Sequence, residues 1–474
     1  MKKIQLITSY WVFNLMIIMG IGNSSCQQQP TALELQDMDV FLTLTDGSKK
    51  LAKDNNGWEA FATDAEVIAI DADVTYQIMD GFGFAVTGGS ATHLMAMSQS
   101  ARQKLLQELF GRGPGQMGLS MIRISIGASD LDAEVFSYVD TPDQSLNSFS
   151  LGRDTVTLIP LLKEILMINP DLGIMASPWS PPVWMKSNQR SIGGSLLPEY
   201  YRLYADYFVK YLQTMQSSGI TIDWITPQNE PLHDGNNPSL YMTAAEQTTF
   251  IKEGLGPAFE AAALSTRILV YDHNADRPDY PLTILDDPEA KKYVYGSAFH
   301  LYGGQVAALG QVHDQHPDRH IYFTEQWYGA PGDFGGDFSW HVREVVIGAV
   351  NNWSKGVIEW NLTSNPTLTP HTPGGCTQCL GAITLDGDQI TRNAGYYAIG
   401  HAAAFVPPGS QRINTTNVVD CSQVAFLTPD DDVVLIVQNN SDKNKRINVI
   451  QGSVSGSYGL AEGAVATLRW KRSN

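Results

Sequence analysis

Two glutamates stand out by their settings. Glu230 lies in Gln228-Asn229-Glu230-Pro231, just after the apolar run Trp224-Ile225-Thr226, and Glu325 lies in Thr324-Glu325-Gln326-Trp327, just after Ile321-Tyr322-Phe323. Cleaving a glycosidic bond needs two carboxyl groups in opposite states. One gives a proton to the departing oxygen, and the other faces the anomeric carbon as an anion. Different surroundings separate their pKa values. A lone glutamate at a strand end more often caps a loop or pairs with an arginine. Two of them, each among aromatic and amide residues, favour sugar chemistry.

The elements that must position this pair follow from periodicity. Short apolar runs at 81–85, 121–126, 173–177, 222–226, 268–271, 295–299, 321–324 and 357–360 read as strands. Helical patterns separate them at 103–110, 156–167, 199–215, 244–262 and 342–351; in the third, Tyr201, Tyr204, Ala205, Phe208 and Leu212 fall at helical spacing. Eight strands alternating with helices predict an α/β fold, a (β/α)8 TIM barrel, with reacting groups at the carboxyl ends of the strands. Glu230 then follows the fourth strand and Glu325 the seventh. A doubly wound open sheet would usually carry a glycine-rich phosphate turn after its first strand, and none is evident.

After Pro407-Pro408-Gly409 the helices give way to strand patterns at 424–427, 433–437, 447–450 and 464–470, and similar patterns occur at 40–44 and 67–76. These predict an accessory antiparallel β-sandwich built from both terminal segments, 39–78 and 401–474, around a catalytic barrel over 79–400. An ideal barrel of radius about 8 Å leaves roughly 6–7 Å between carboxyls three strands apart. That lies between the ranges of retaining and inverting enzymes, so spacing leaves the stereochemistry open.

Bulk properties exclude some classes. With 43% hydrophobic and 17% charged residues among 474, a large core is expected rather than disorder. The formal net charge of −18 and the lack of a basic cluster argue against nucleic acid as a partner. Lys2 and Lys3, an apolar stretch from Trp11 to Ile21, then Ser24-Ser25-Cys26 read as an export signal over 1–25. Its lipoprotein form would acylate Cys26, ahead of a tether at 26–38 containing Gln27-Gln28-Gln29; any membrane attachment would run through that anchor, on a periplasmic or cell-surface protein. Cys376 and Cys379 form one Cys-x-x-Cys without a second pair or a nearby histidine, which is poor support for zinc. A local disulfide or buried thiols are the simpler readings, and no metal or cofactor is expected.

The blocks Asp80-Gly81-Phe82-Gly83, Arg123-Ile124-Ser125, Ser177-Pro178-Trp179-Ser180-Pro181-Pro182-Val183-Trp184, Asn229-Glu230-Pro231, His300-Leu301-Tyr302, Thr324-Glu325 and Glu359-Trp360-Asn361-Leu362 resemble those of glycoside hydrolase family 30. That family includes glucosylceramidases and bacterial β-glucanases. The resemblance implies a retaining double displacement with Glu325 as nucleophile and Glu230 as acid/base. It further implies that Asn229 bonds the sugar 2-hydroxyl, Arg123 keeps the nucleophile ionised, and Asp130 grips outer hydroxyls of the sugar. Trp179 and Trp360 would form an aromatic floor and wall, with the Tyr302 hydroxyl near the nucleophile. His300 is expected to support the site rather than carry protons. The chain departs from the glucosylceramidase branch at Thr87-Gly88-Gly89-Ser90 and by an insertion at 370–376, a loop expected to shape the leaving-group side. The implied substrates are β-linked glucosides, glucans including β-1,6-glucan, or glycolipids. Xylan hydrolysis and an inactive glycan-binding protein are the alternatives.

Overall fold

The computed structural model describes residues 38–54 and 58–472. The expected leader, its Cys26 and the Gln27–Gln29 tether lie outside the described residues. Among those described, no helix is long and apolar enough to cross a membrane.

Eight parallel strands close into a barrel: β1 (Gly81–Ala85), β2 (Met121–Ser125), β3 (Gly173–Ser177), β4 (Trp224–Ile225), β5 (Arg267–Ala275), β6 (Val294–Gly304), β7 (His320–Glu325) and β8 (Ser354–Asn361). Each pairs with its sequence neighbour, and β8 pairs with β1 to complete the ring. Strand alternation sorts the side chains. Ile122 and Ile124 of β2 point outward into the large core shared with the helices, while Met121 points inward. A plug of Met121, Met175, Trp224, Leu269, Ala298, Tyr322 and Ile358 fills the lower barrel. The interior is thus solid beneath the site.

Several expected elements are altered. The helix expected over 244–262 begins with a capping box between Thr243 and Glu246 and contains a π-helical stretch at Phe250–Leu255. The one expected over 342–351 starts earlier, at Phe334, and has a π-helical stretch at His341–Gly348. Wider turns of this kind leave no mark on a 3.6-residue pattern.

The second unit is a ten-stranded sheet combining Asp39–Thr43, Glu66–Ile78 and other N-terminal strands with six strands between Gln411 and Lys471. Its neighbours are antiparallel with one exception. Lys445–Gln451 runs parallel to the start of Glu66–Ile78, because that long strand pairs with Gln411–Thr415 further along its length. The unbroken apolar run in Asp432–Asn439 has a structural cause. Val433, Leu435 and Val437 fill the sandwich core, and Val434 and Ile436 pack into the barrel's cluster. A strand covered on both faces shows no polar alternation.

Candidate active site

One rung above the plug, strand alternation brings polar residues inward. Arg123 follows Met121 by two, Ser177 follows Met175, Thr226 follows Trp224, His300 follows Ala298 and Thr324 follows Tyr322. Arg123 is fully buried, and its guanidinium spends its donors in four directions. It gives 2.6 Å bonds to Glu325 Oε2 and Asn229 Oδ1, a 2.8 Å bond to Asp272 Oδ2 and a 3.2 Å bond to Ser177 Oγ. A planar fork is suited to holding carboxylates in fixed relative positions.

Three backbone irregularities aim the acids. The pairing of β6 with β7 shifts register beside Glu325, so Thr324 and Glu325, though consecutive, both reach the interior. Tyr271 and Asp272 have φ values of 76° and 64°, and the pairing of β5 with β6 shifts there, turning Asp272 toward Arg123. Glu230 itself has φ 45°, pinned by its N–H bond to the Asp272 carbonyl at 2.9 Å. Such backbone is costly for non-glycine residues and is retained where surrounding contacts impose it.

The two glutamates face each other. One oxygen of each, with a ring nitrogen of His300, lie within 4.8 Å of one another. Glu325 accepts from Arg123 at 2.6 Å and from the Tyr302 hydroxyl at 3.0 Å. The donors nearest Glu230 are more distant, Asn236 Nδ2 and His300 Nδ1 both at 3.4 Å. Asn229 turns its side-chain carbonyl to Arg123, which fixes which end of the amide carries the donors. Trp179 and Trp360 stand together with ring centres 5.4 Å apart, and they line the cavity with Asp130, Glu230, Tyr302, Glu325 and Trp327. The cavity measures about 320 Å³, at the small end of ligand sites.

Charge is tightly balanced. Burial would raise Asp272, but Arg123, His300 and Thr226 hold its carboxyl far below the usual range. Burial would lower His300; the charge of Glu325 and the bonds to Asp272 and Glu230 outweigh it and push His300 up to about 9. Asp130 is pushed up to about 7 by burial and by the charge of Glu325, against the Cys376 N–H that bonds it. Burial also raises Glu325 against the charges of His300 and Arg123; burial would raise Glu230 too, but the bond and charge of His300, with the charges of His273 and His233, bring it down. The short bonds that reach the two groups favour the opposite assignment, since hydrogen bonds to a charged carboxylate hold it ionised. We place the resident anion on Glu325, because both short charge-stabilising bonds go to it. As for a cation, Glu230, His300 and Glu325 each offer a ligand atom, yet a guanidinium already bridges Glu325 and His300 carries a proton at neutral pH. The donor set suits an organic substrate better than a metal.

Of the sequence-predicted residues, Asp130, Trp179, Glu230, Tyr302, Glu325 and Trp360 line this cavity, while Arg123 is buried behind it, bonded to Glu325 and Asn229. Asp272 was not among the expected residues, because it lies one position beyond the strand expected over 268–271. An acid at the carboxyl end of a barrel strand was its available signal. His300, expected as a supporting residue, touches Asp272 Oδ1 at 3.1 Å and lies between the two glutamates. Cys376 and Cys379 form a disulfide and line the pocket. The inserted loop therefore meets Asp130, whereas the sequence alone would assign it to the leaving-group side.

Comparison with known proteins agrees with this geometry. The glycosyl hydrolase family 30 TIM-barrel domain matches residues 79–406, and the glycosyl hydrolase family 30 beta sandwich domain matches 409–468. An endo-1,6-β-D-glucanase of Aspergillus fumigatus is 33% identical over 407 residues, covering 80% of this chain and 81% of that protein. The lysosomal acid glucosylceramidase of Mus musculus is 28% identical, covering 86% of this chain and 84% of that protein. A solved endo-β-1,6-glucanase superposes with a TM-score of 0.86 at 36% identity, covering 92% of this chain and all of that one. With both domains matched in order and two opposed glutamates at the barrel mouth, the chain belongs to glycosyl hydrolase family 30.

Proposed function

We propose that the protein is a retaining hydrolase of β-1,6-linked glucan, with Glu325 as nucleophile and Glu230 as acid/base. The observation that carries this reading is that the two carboxylates face each other across one cavity, with one oxygen of each within 4.8 Å of the other, in keeping with the closer of the two known spacings. Inverting enzymes hold theirs about 6.5–9.5 Å apart to admit a water between carboxylate and sugar, and retaining ones about 5–5.5 Å. Glu325 attacks the anomeric carbon while Glu230 protonates the departing oxygen, giving a covalent glycosyl-enzyme. Glu230 then removes a proton from water, whose attack frees the sugar with its β configuration restored. The proton that Glu230 gives to the leaving oxygen in the first step is thus the one it recovers from water in the second, while the His300 ring stands 3.4 Å from Glu230 as a supporting group. Asn229 donates to the sugar 2-hydroxyl, Asp130 accepts from outer hydroxyls, and Trp179 and Trp360 cover the apolar face of the ring.

The β-1,6 linkage is supported by the relatives named endo-1,6-β-D-glucanase and by the solved endo-β-1,6-glucanase. The stretch from Lys2 to Cys26 supports export with Cys26 acylated; mass spectrometry of the mature N-terminus reads this directly. The deciding assay is hydrolysis of β-1,3-, β-1,4- and β-1,6-glucans, xylan and glucosylceramide by the wild type and by Glu325→Ala. We expect kcat/KM at least about tenfold higher on β-1,6-glucan, with Glu325→Ala at background. Preference for another linkage overturns the substrate, and glycan binding without any turnover overturns the hydrolase.

A further inference from the structure

The loop that follows β8 crosses the barrel mouth and is fastened to three other loops. Thr372 N–H bonds the Asp130 carbonyl at 2.9 Å, after β2. Asn237 Nδ2 bonds the Pro373 carbonyl at 2.8 Å, after β4. Beyond β7, Ala330 N–H bonds the Gln378 carbonyl at 2.8 Å, and Gly329 pairs with Cys379 as a short bridge. Between these fastenings the Cys376–Cys379 disulfide ties the strap into a tight loop. Both of its residues pack in one cluster with Trp179, Trp360 and Trp327.

This strap reaches the sugar pocket through Asp130. Its buried carboxylate accepts from the Cys376 N–H at 3.2 Å, the one bond it receives from another segment among the described residues. The strap lies so close that a Cβ at Gly375 would stand 2.5 Å from the Asp130 carbonyl oxygen. A donor on a surface loop is held only as well as that loop is held, and the disulfide closes the loop immediately beside the donor.

We propose that the Cys376–Cys379 loop is the specificity-determining wall of the sugar pocket, acting by holding the Asp130 carboxylate where it meets the hydroxyls of the bound ring. This rests on the hydrolase reading above and extends it, since it makes recognition of the sugar, rather than bond cleavage, depend on the disulfide. Cys376 is a positioning residue: it touches Asp130, not the reacting atoms.

The test compares steady-state kinetics on an aryl β-glucoside for the wild type, Cys376→Ser/Cys379→Ser, Asp130→Asn and the three changes together. The double cysteine variant should raise KM about tenfold while kcat stays within about threefold, the signature of lost ground-state binding. The triple variant should be no more than about twofold worse than Asp130→Asn, because changes acting through one contact are not additive. A dithiol reductant, which converts the disulfide to two thiols as it closes to its own cyclic disulfide, should raise KM in the wild type and in Cys421→Ser. It should leave the double cysteine variant unchanged. A disulfide spanning so few residues adds only modest fold stability, so the variants should remain folded, and a melting curve checks this. Unchanged KM in the double variant, or losses that simply add to those of Asp130→Asn, overturn the proposal. If the wild type binds the glucoside without turning it over, the hydrolase reading fails, and the same comparison made on dissociation constants still decides the wall.

Discussion

At the residue scale, the two glutamates differ in the donors that reach them, and this sets separable expectations. Glu230→Gln removes the proton donor but keeps the shape. Its kcat/KM should fall about 10²–10⁴-fold on glucan, where the leaving oxygen needs protonation, and within about tenfold on a dinitrophenyl β-glucoside, whose leaving group departs unaided. Equal loss on both substrates removes Glu230 from the acid role. His300 adds a pH dependence. Its folded pKa, about 9, exceeds the ordinary 6.5, so its charge stabilises the fold fully below pH 6.5 and ceases to do so as pH rises toward 9. The melting temperature of the wild type should therefore exceed that of His300→Gln most near pH 6.5, with the gap narrowing up to pH 9. A gap that stays constant across this window means His300 is neutral in the fold.

At the scale of elements, the first barrel strand shows how tightly the site is framed. A Cβ at Gly83 in β1 would lie 1.7 Å from the backbone oxygen of Met121 in β2, two residues before Arg123. Neither strand can yield, since both lie in the closed ring. A Cβ at Gly356 in β8 would meet the Met121 sulfur at 2.6 Å, the movable part of a flexible side chain. Gly83→Ala should thus abolish soluble, folded protein, whereas Gly356→Ala should fold with a loss of about 1–3 kcal/mol. Comparing soluble yield and chemical denaturation of the two variants checks this, and equal tolerance would mean the strands at β1 and β2 are looser than described.

For the whole molecule, barrel and sandwich share a continuous interior. Phe41 and Phe405 meet with ring centres 4.6 Å apart, and buried His401 joins Thr43 Oγ1 at 2.8 Å and Thr467 Oγ1 at 2.9 Å, linking the helix after β8 to two sandwich strands. Burial pushes His401 down to about 3, so it is neutral in the fold. The unfolded chain takes up this proton near pH 6.5, so stability is intact above 6.5 and falls as pH drops from there toward 3. His401→Gln should lower stability by about 1–3 kcal/mol at pH 8, where its hydrogen bonds are weakened. Between pH 6.5 and 4.5 the variant should lose less further stability than the wild type. Urea midpoints across that range measure it, and parallel curves would remove His401 as an acid-sensitive joint.

Much of this protein was legible in its sequence. Period-two and period-3.6 patterns determined eight strands, their helices and the flanking sandwich, because those patterns record which face of each element is buried. They also put Glu230 and Glu325 at the ends of the fourth and seventh strands. What the tertiary structure alone decided lies where backbone leaves regular geometry. The register shift beside Glu325 and the left-handed backbone of Glu230 aim the carboxylates at one another, so that one oxygen of each lies within 4.8 Å of the other, an approach that strand periodicity does not give. The twist at Tyr271 and Asp272 adds an unforeseen acid, and the strap carrying Cys376 bonds Asp130 across 246 residues of chain. Periodicity reports on neighbours along the chain; contacts made by bulges and crossing loops depend on which distant segments the closed barrel brings together.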